Sequence, residues 1–390
     1  MKAILKYPLY RRPQPTNEVD ANGYLPKGSV IEVERIYSGK YLDGISIWFY
    51  SNDGFYYWGG GLKVPEGEAM LDWESLNEET KSAILSSIIN DEAYRIEKKV
   101  IGLLGYGMGY KNDNKNEGLA LTIFVDAKIP KENFDKTISY TGIKNIPVDI
   151  KPVRKIEHQQ YVTNGIKDLQ PDKGSPMQMG GSISVTDSND YGTRSFIVRD
   201  KNKKAYLMTC FHVLLDRFRS KGQYPFPGNI ATIEANYPCK LMNNAGVTLR
   251  KEVVVIGKYN NNYDFALITL TDDTDLINAF DNRSFNGFYI SDNIQTLLGK
   301  ELVMGGATSK LQMGKVLETK STIFVGRENK QFDNVIVTEK ISMPGDSGAP
   351  VIDDQGMVVG IIIAGSVEEK RSYILPIHNI VFQQGYTITN

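Results

Sequence analysis

Cysteine is scarce in this sequence: Cys210 and Cys239 are the only two in 390 residues. Small domains held by disulfides carry cysteine far more densely, so a disulfide framework is excluded and both thiols are expected to stay reduced. Histidine is almost as scarce, with only His158, His212 and His378. No Cys/His cluster has metal-ligand spacing, so neither a metal nor an organic cofactor is implied. An excess of either charge is also missing. The 45 basic and 46 acidic residues leave a net charge of -1, which gives no electrostatic reason to expect nucleic acid or an anionic membrane as partner. No apolar run approaches the length of a membrane span. The start, "MKAILKYPLYRRPQP", meets Lys6, Pro8, Arg11 and Arg12 before any continuous apolar segment and lacks the small-residue cleavage site of an export signal. Together these absences predict a cytoplasmic protein. "GLLGYGMG" (102–109) is followed by no phosphate-binding lysine and no clear helix, so a nucleotide loop is excluded there.

What is present is the make-up of a folded, mainly β protein. Hydrophobic residues make up 41% and charged residues 23%, as in ordinary globular chains, and the length suggests two or three domains. Residues 1–64 hold short aromatic and β-branched stretches broken at Asn22-Gly23, Ser38-Gly39 and Asp53-Gly54. The last pair, between "IWFY" and "FYYW", is a hairpin signal. Residues 65–99 change texture: Leu71, Ile84, Leu85, Ile88 and Ile89 recur at helical spacing with acids early and lysines late, which predicts a helical connector. Residues 100–174 read as a small α/β leading unit followed by a polar linker. From 175 to 390 many short apolar runs alternate with turns, the pattern of sandwiches or barrels, with "PIHNIVFQQG" as a closing helix. The run "WFY…DGFYYWGGG" resembles bacterial SH3-like domains. That resemblance implies a small barrel with a peptide or protein ligand, although most of its aromatics are expected in its core.

One loop stands out, "ISMPGDSGAPVID" (341–353). Gly and Pro between two apolar runs are ordinary turn chemistry. Glycines also let the backbone turn tightly enough to aim successive N–H groups at one point while presenting the Ser347 hydroxyl. A serine hydroxyl is a weak nucleophile without a base. His158 lies in the polar stretch "RKIEHQQY" and His378 begins the closing helix, so both read as surface or cap residues. His212 sits near the end of the apolar run "KAYLMTCFHVLL", where an unpartnered imidazole would be costly. Asp264, at the mouth of the strand "DFALITL", can cap a turn or orient a histidine.

Taken together, "TCFHVLL", "YDFALI" and "PGDSGAPV" resemble the His, Asp and Ser motifs of trypsin/chymotrypsin-fold serine peptidases, in that order, over about residues 175 to 385. "GLLGYGMGY…LALTIFVDAKIP" is similar to a leading unit found in a bacterial and plant subgroup of these proteases. The resemblance implies a double β-barrel domain preceded by the SH3-like barrel, the connector and the leading unit, with a protein or peptide as substrate. It makes Ser347 the nucleophile, His212 the general base and Asp264 the orienting carboxylate, with the Gly345 and Ser347 N–H groups as the oxyanion hole. Ile341, Ser342 and Met343 would line the primary pocket together with Ile363, Ala364 and Gly365, whose strand would accept substrate backbone by strand addition. Ile341 at the pocket base disfavours cleavage after Lys or Arg, with an acidic preference through Lys370 and Arg371 as runner-up.

Three departures from the family pattern are visible. No disulfide flanks His212, Ile363 stands where the family often has a serine, and no arginine followed by "IVGG" offers a new N-terminus, so Asp346 is expected to bond to backbone. The alternative function is a catalytically silent protease-fold scaffold whose SH3-like module binds a partner.

Overall fold

The computed structural model describes the chain except for residues 43–44, 66–70, 141, 159–176, 187, 189, 221–229, 243–247, 261, 274–275, 282, 290–293, 327–328, 367, 378–384 and 389–390. The closing helix read from the sequence, with His378, lies outside the described residues, as does most of the polar linker. Two compact units divide the chain, Met1–Pro152 and Val153–Asn390. The SH3-like segment and the connector fall within the first.

In the first unit, β1 (Lys2–Leu5), β2 (Val30–Leu42), β3 (Ile45–Ser51), β4 (Tyr56–Trp58) and β5 (Leu62–Lys63) form an antiparallel sheet in the order β4-β3-β2-β1-β5. The predicted hairpin joins β3 to β4. Gly54 takes a positive φ of 83° and its N–H donates to the Ser51 carbonyl, a conformation that a β-carbon would resist. Trp48, Phe49 and Tyr57 fill the interior. Asn77 caps the connector helix α1 (Glu78–Asp91) by accepting from the Thr80 N–H, which satisfies one of the helix's orphan donors. Its buried stripe of Ile84, Leu85, Ile88 and Ile89 is the one the helical spacing predicts, but Leu71, read with them, lies instead in the short strand Leu71–Asp72 that pairs with Ile143. After α2 (Ala93–Lys99) come β6 (Leu103–Tyr110), β7 (Leu119–Asp126), β8 (Thr137–Tyr140) and β9 (Ile143–Val153), in the order β8-β9-β7-β6.

The second unit begins with the short strand β10 (Glu157–His158). Its first half is one antiparallel path. The strands β11 (Ser182–Val185), β12 (Gly192–Thr193), β13 (Ile197–Arg199), β14 (Ala205–Thr209), β15 (Ile230–Met242), β16 (Thr248–Asn260) and β17 (Tyr263–Thr269) run in the order β12-β11-β15-β16-β17-β14-β13. Helix α3 (Phe211–Ser220) follows β14 directly.

The second half holds β18 (Glu301–Gly306), β19 (Lys310–Val325), β20 (Lys330–Glu339), β21 (Pro350–Ile352), β22 (Met357–Ser366) and β23 (Arg371–Pro376), in the order β19-β18-β21-β22-β23-β20. Because β19 also pairs with β20, these six strands close into a barrel. Leu302, Met304, Val316, Ile336, Val351 and Ile374 pack inside it. The fold is mainly β in both units.

Candidate active site

His212 is the second residue of α3 and not the end of a strand, since β14 stops at Thr209. Phe211 to Leu215 are all buried, so the segment shows neither helical nor strand periodicity in its sequence. Asp264 enters at the start of β17 and reaches the helix from the side. Its Oδ1 accepts the His212 backbone N–H at 3.1 Å and its Oδ2 lies 2.6 Å from His212 Nδ1. A carboxylate only accepts, so Nδ1 carries the proton of that bond, and in the neutral imidazole Nε2 is the nitrogen with the lone pair. Burial alone would push the Asp264 carboxyl up. The bonds and charge of His212, with a contribution from His158, outweigh it and hold the carboxyl below the ordinary range.

Ser347 lies between β20 and β21 in a loop whose conformation the glycines make possible. Gly345 has φ +103° and Gly348 has φ +91°. A β-carbon on Gly348 would run into the Thr193 carbonyl and the Thr209 hydroxyl. The loop is tied down on both sides. Thr193 N–H donates to the Ser347 carbonyl at 2.7 Å, Thr193 Oγ1 donates to the Gly345 carbonyl at 2.9 Å, and Thr308 Oγ1 donates to that of Pro344 at 2.9 Å. With these carbonyls turned into the protein, the Gly345 and Ser347 N–H groups have no hydrogen-bond acceptor among the described residues.

Asp346 is fully buried and bonds to backbone as expected, accepting the N–H groups of Met343 (2.8 Å), Thr308 (2.8 Å) and Ser309 (3.1 Å). Burial pushes its carboxyl up, and these donors pull against that shift. Replacing Gly348 with alanine should lower the urea midpoint of unfolding. The positive φ alone costs about 1–3 kcal/mol for a residue with a β-carbon, and the overlap with Thr193 and Thr209 adds to it. An unchanged midpoint would refute this account of the loop.

The His and Ser segments meet through shared neighbours. Cys210 Sγ and Gly348 N–H both donate to the Ile362 carbonyl, at 3.3 and 2.8 Å. Cys210 and Cys239 are both free and buried. Burial, assisted by the nearby Asp264, pushes the Cys210 thiol well up, and burial beside Glu252 pushes that of Cys239 up to about 12. Neither is a nucleophile in that state. His212 Nε2 and Ser347 Oγ are both buried and have no hydrogen-bond partner among the described residues.

The remaining predicted positions separate. Ile341 is packed into the barrel core, and Ser342 turns its hydroxyl inward to Ser372 Oγ at 2.7 Å. Met343 is exposed, while Ile363, Ala364 and Gly365 lie buried on β22. Arg371 grips Glu318 through two bonds of 2.7 and 2.9 Å, so its charge is already answered.

His158 corrects the sequence reading. It is not a surface residue: its ring stacks on that of His212, with centroids 4.0 Å and planes 28° apart. His158, His212 and Asp264 place donor atoms within 4.8 Å of one another. The nearly parallel rings do not converge their lone pairs on one point, and both Nδ1 atoms face protein oxygens, so the cluster lacks the geometry of a metal site.

Residues 193–361 match the family model of the trypsin-like peptidase domain. The matched stretch lies within the second unit. The matched stretch includes His212, Asp264 and Ser347. No curated protein matches the chain. Among solved structures, Nocardiopsis protease is 12% identical with a TM-score of 0.40, over 55% of this chain and 100% of that one. Thermobifida fusca protease A is 14% identical with a TM-score of 0.40, over the same shares. Cellulomonas bogoriensis chymotrypsin is 14% identical with a TM-score of 0.38, over 55% and 99%.

Proposed function

We propose that the trypsin-like domain is a serine endopeptidase that hydrolyses peptide bonds through an acyl-enzyme. The observation that carries this reading is the Asp264-oriented imidazole of His212, its Nε2 unengaged, in the unit that holds the tied-down Gly345–Gly348 loop. In the reaction Ser347 Oγ attacks the scissile carbonyl carbon while His212 Nε2 takes its proton. The carbonyl oxygen becomes an oxyanion that the Gly345 and Ser347 N–H groups receive, each such donor contributing about 2.7–4 kcal/mol in the transition state. The imidazolium then gives its proton to the leaving amine. Water, deprotonated by the same nitrogen, cleaves the acyl ester and regenerates Ser347. The test is covalent: prolonged exposure to a fluorophosphonate should add one phosphonyl group at Ser347, located by mass spectrometry, and none to Ser347→Ala. A label that persists in Ser347→Ala would overturn the assignment.

For specificity we propose a pocket entered between Met343 and the 363–365 stretch of β22; Ile341 and Ser342 turn into the barrel and do not line it. Apolar walls leave a lysine or arginine side chain unpaired. Arg371, committed to Glu318, is not available to an acidic one. Cleavage after medium-sized apolar residues is therefore expected. Profiling on a peptide library checks this, and dominant cleavage after Lys or Arg would refute the pocket.

The rings of Tyr37, Tyr50 and Tyr56 lie 4.9 to 6.2 Å apart on the first sheet. They support reading that sheet as an SH3-like module with a peptide ligand. Two buried free thiols support a cytoplasmic setting.

A further inference from the structure

The strand assigned to substrate is already taken. β10 pairs antiparallel with β22, placing Glu157 opposite Gly365 and His158 opposite Ala364. An extended peptide adding a strand to this edge would use the same backbone positions. The residues leading into β10 are anchored one by one. Arg154 donates its N–H to Glu369 at 2.8 Å and its guanidinium to Glu368 at 2.8 Å. Ile156 is buried to 2% exposure, and its carbonyl accepts the Gly326 N–H at 2.9 Å from the β19–β20 turn. His158 turns Nδ1 toward the Ile363 carbonyl at 2.9 Å, lays its ring on His212 and meets Phe332 edge-on at 5.9 Å. A cavity of about 360 Å³ remains beside it, with Glu157, His158, Pro344, Gly365 and Ser366 among its lining residues. The segment is thus part of the cleft wall.

We propose that residues 154–158 are a built-in occupant of the substrate strand, bound as an extended peptide with His158 over the base His212, so that the domain is held shut until the segment leaves. The proposal rests on the peptidase reading for what is inhibited, though the occupancy itself is independent of it. It also accounts for the burial of His212, on whose ring that of His158 lies. A substrate must displace three kinds of contact: the main-chain pairing to β22, the buried Ile156, and the imidazole stack. The Arg154 pair with Glu368 is exposed and adds little.

The test uses the full chain and two independent readouts. Ile156→Asp and His158→Gly remove the anchor and the stack, and amide hydrogen exchange over 361–366 reads whether the strand is covered. Exchange there should accelerate, and phosphorylation of Ser347 by diisopropyl fluorophosphate, with loss of fluoride, should quicken more than tenfold. Arg154→Glu, on the exposed pair, cannot disturb the core. It should raise labelling about twofold, with the rise cancelled by adding Glu368→Arg. Unchanged exchange and labelling, or slower labelling as expected of a permanent part of the site, would overturn the proposal. Faster exchange with no labelling of Ser347 in any variant would leave the occupancy standing and remove the peptidase reading instead.

Discussion

Ser347→Ala and His212→Ala are each expected to abolish peptide hydrolysis, with a loss on the order of 10⁴–10⁶ in kcat and with the double variant scarcely worse than either single one. The reason is that, in the proposed mechanism, one proton moves between these two side chains during the attack. Removing either end removes the whole step, and their contributions do not add. The substitutions should leave the fold intact. Ser347 Oγ makes no hydrogen bond among the described residues, and its backbone carbonyl, which the Thr193 N–H holds, survives the change. His212→Ala loses the Nδ1 bond to Asp264 but keeps the backbone N–H donated to Oδ1. The assay is best run in the His158→Gly background, where an uncovered cleft gives the larger signal. Near-normal turnover of Ser347→Ala in a purified sample would show that another nucleophile is at work.

The glycines around Ser347 were legible in the sequence because their role is local. A turn with φ near +100° admits little else, and the apolar runs on both sides fix where the loop must sit. Asp264 was legible for a similar reason, as a carboxylate at the mouth of an otherwise apolar strand. Helix α3 was not. Phe211 to Leu215 face protein on every side, so the run carries no period to separate helix from strand.

His158 was missed for a different reason. What makes it part of the site is the register of a two-residue strand on β22, 205 positions away, and no local pattern encodes that. The weak signal available was the alternation in "KIEHQ", where Ile156 and His158 share one side of an extended chain between polar neighbours. Ile341 shows the same limit from the other side. Counting back from Ser347 selects the position, but only the packing of the barrel shows that its side chain belongs to the core.

Asp264→Asn should cut kcat by roughly 10⁴, and this structure supplies a specific reason for the size of the loss. The His212 backbone N–H donates to Oδ1. An asparagine must keep its carbonyl oxygen there, because the amide nitrogen cannot accept. The NH₂ group is thereby fixed opposite Nδ1, where it donates. Nδ1 then becomes the acceptor, the ring proton moves to Nε2, and the nitrogen that should take the serine proton is blocked by one of its own.

The same variant has a signature in stability. The Asp264 carboxyl lies below its ordinary range in the folded protein, so ionisation favours the fold. That contribution is fully present above the unfolded value of about 3.9 and is lost as pH falls through the lower folded one. Asp346 is shifted the other way and works with opposite sign, favouring the fold at low pH, but it is common to both proteins. Thermal unfolding of the wild type should therefore weaken more steeply below about pH 4 than that of Asp264→Asn, and the two curves should converge in acid. Parallel curves across that range would mean that the bonds from His212 do not hold the carboxylate, and the tautomer argument would fall with them.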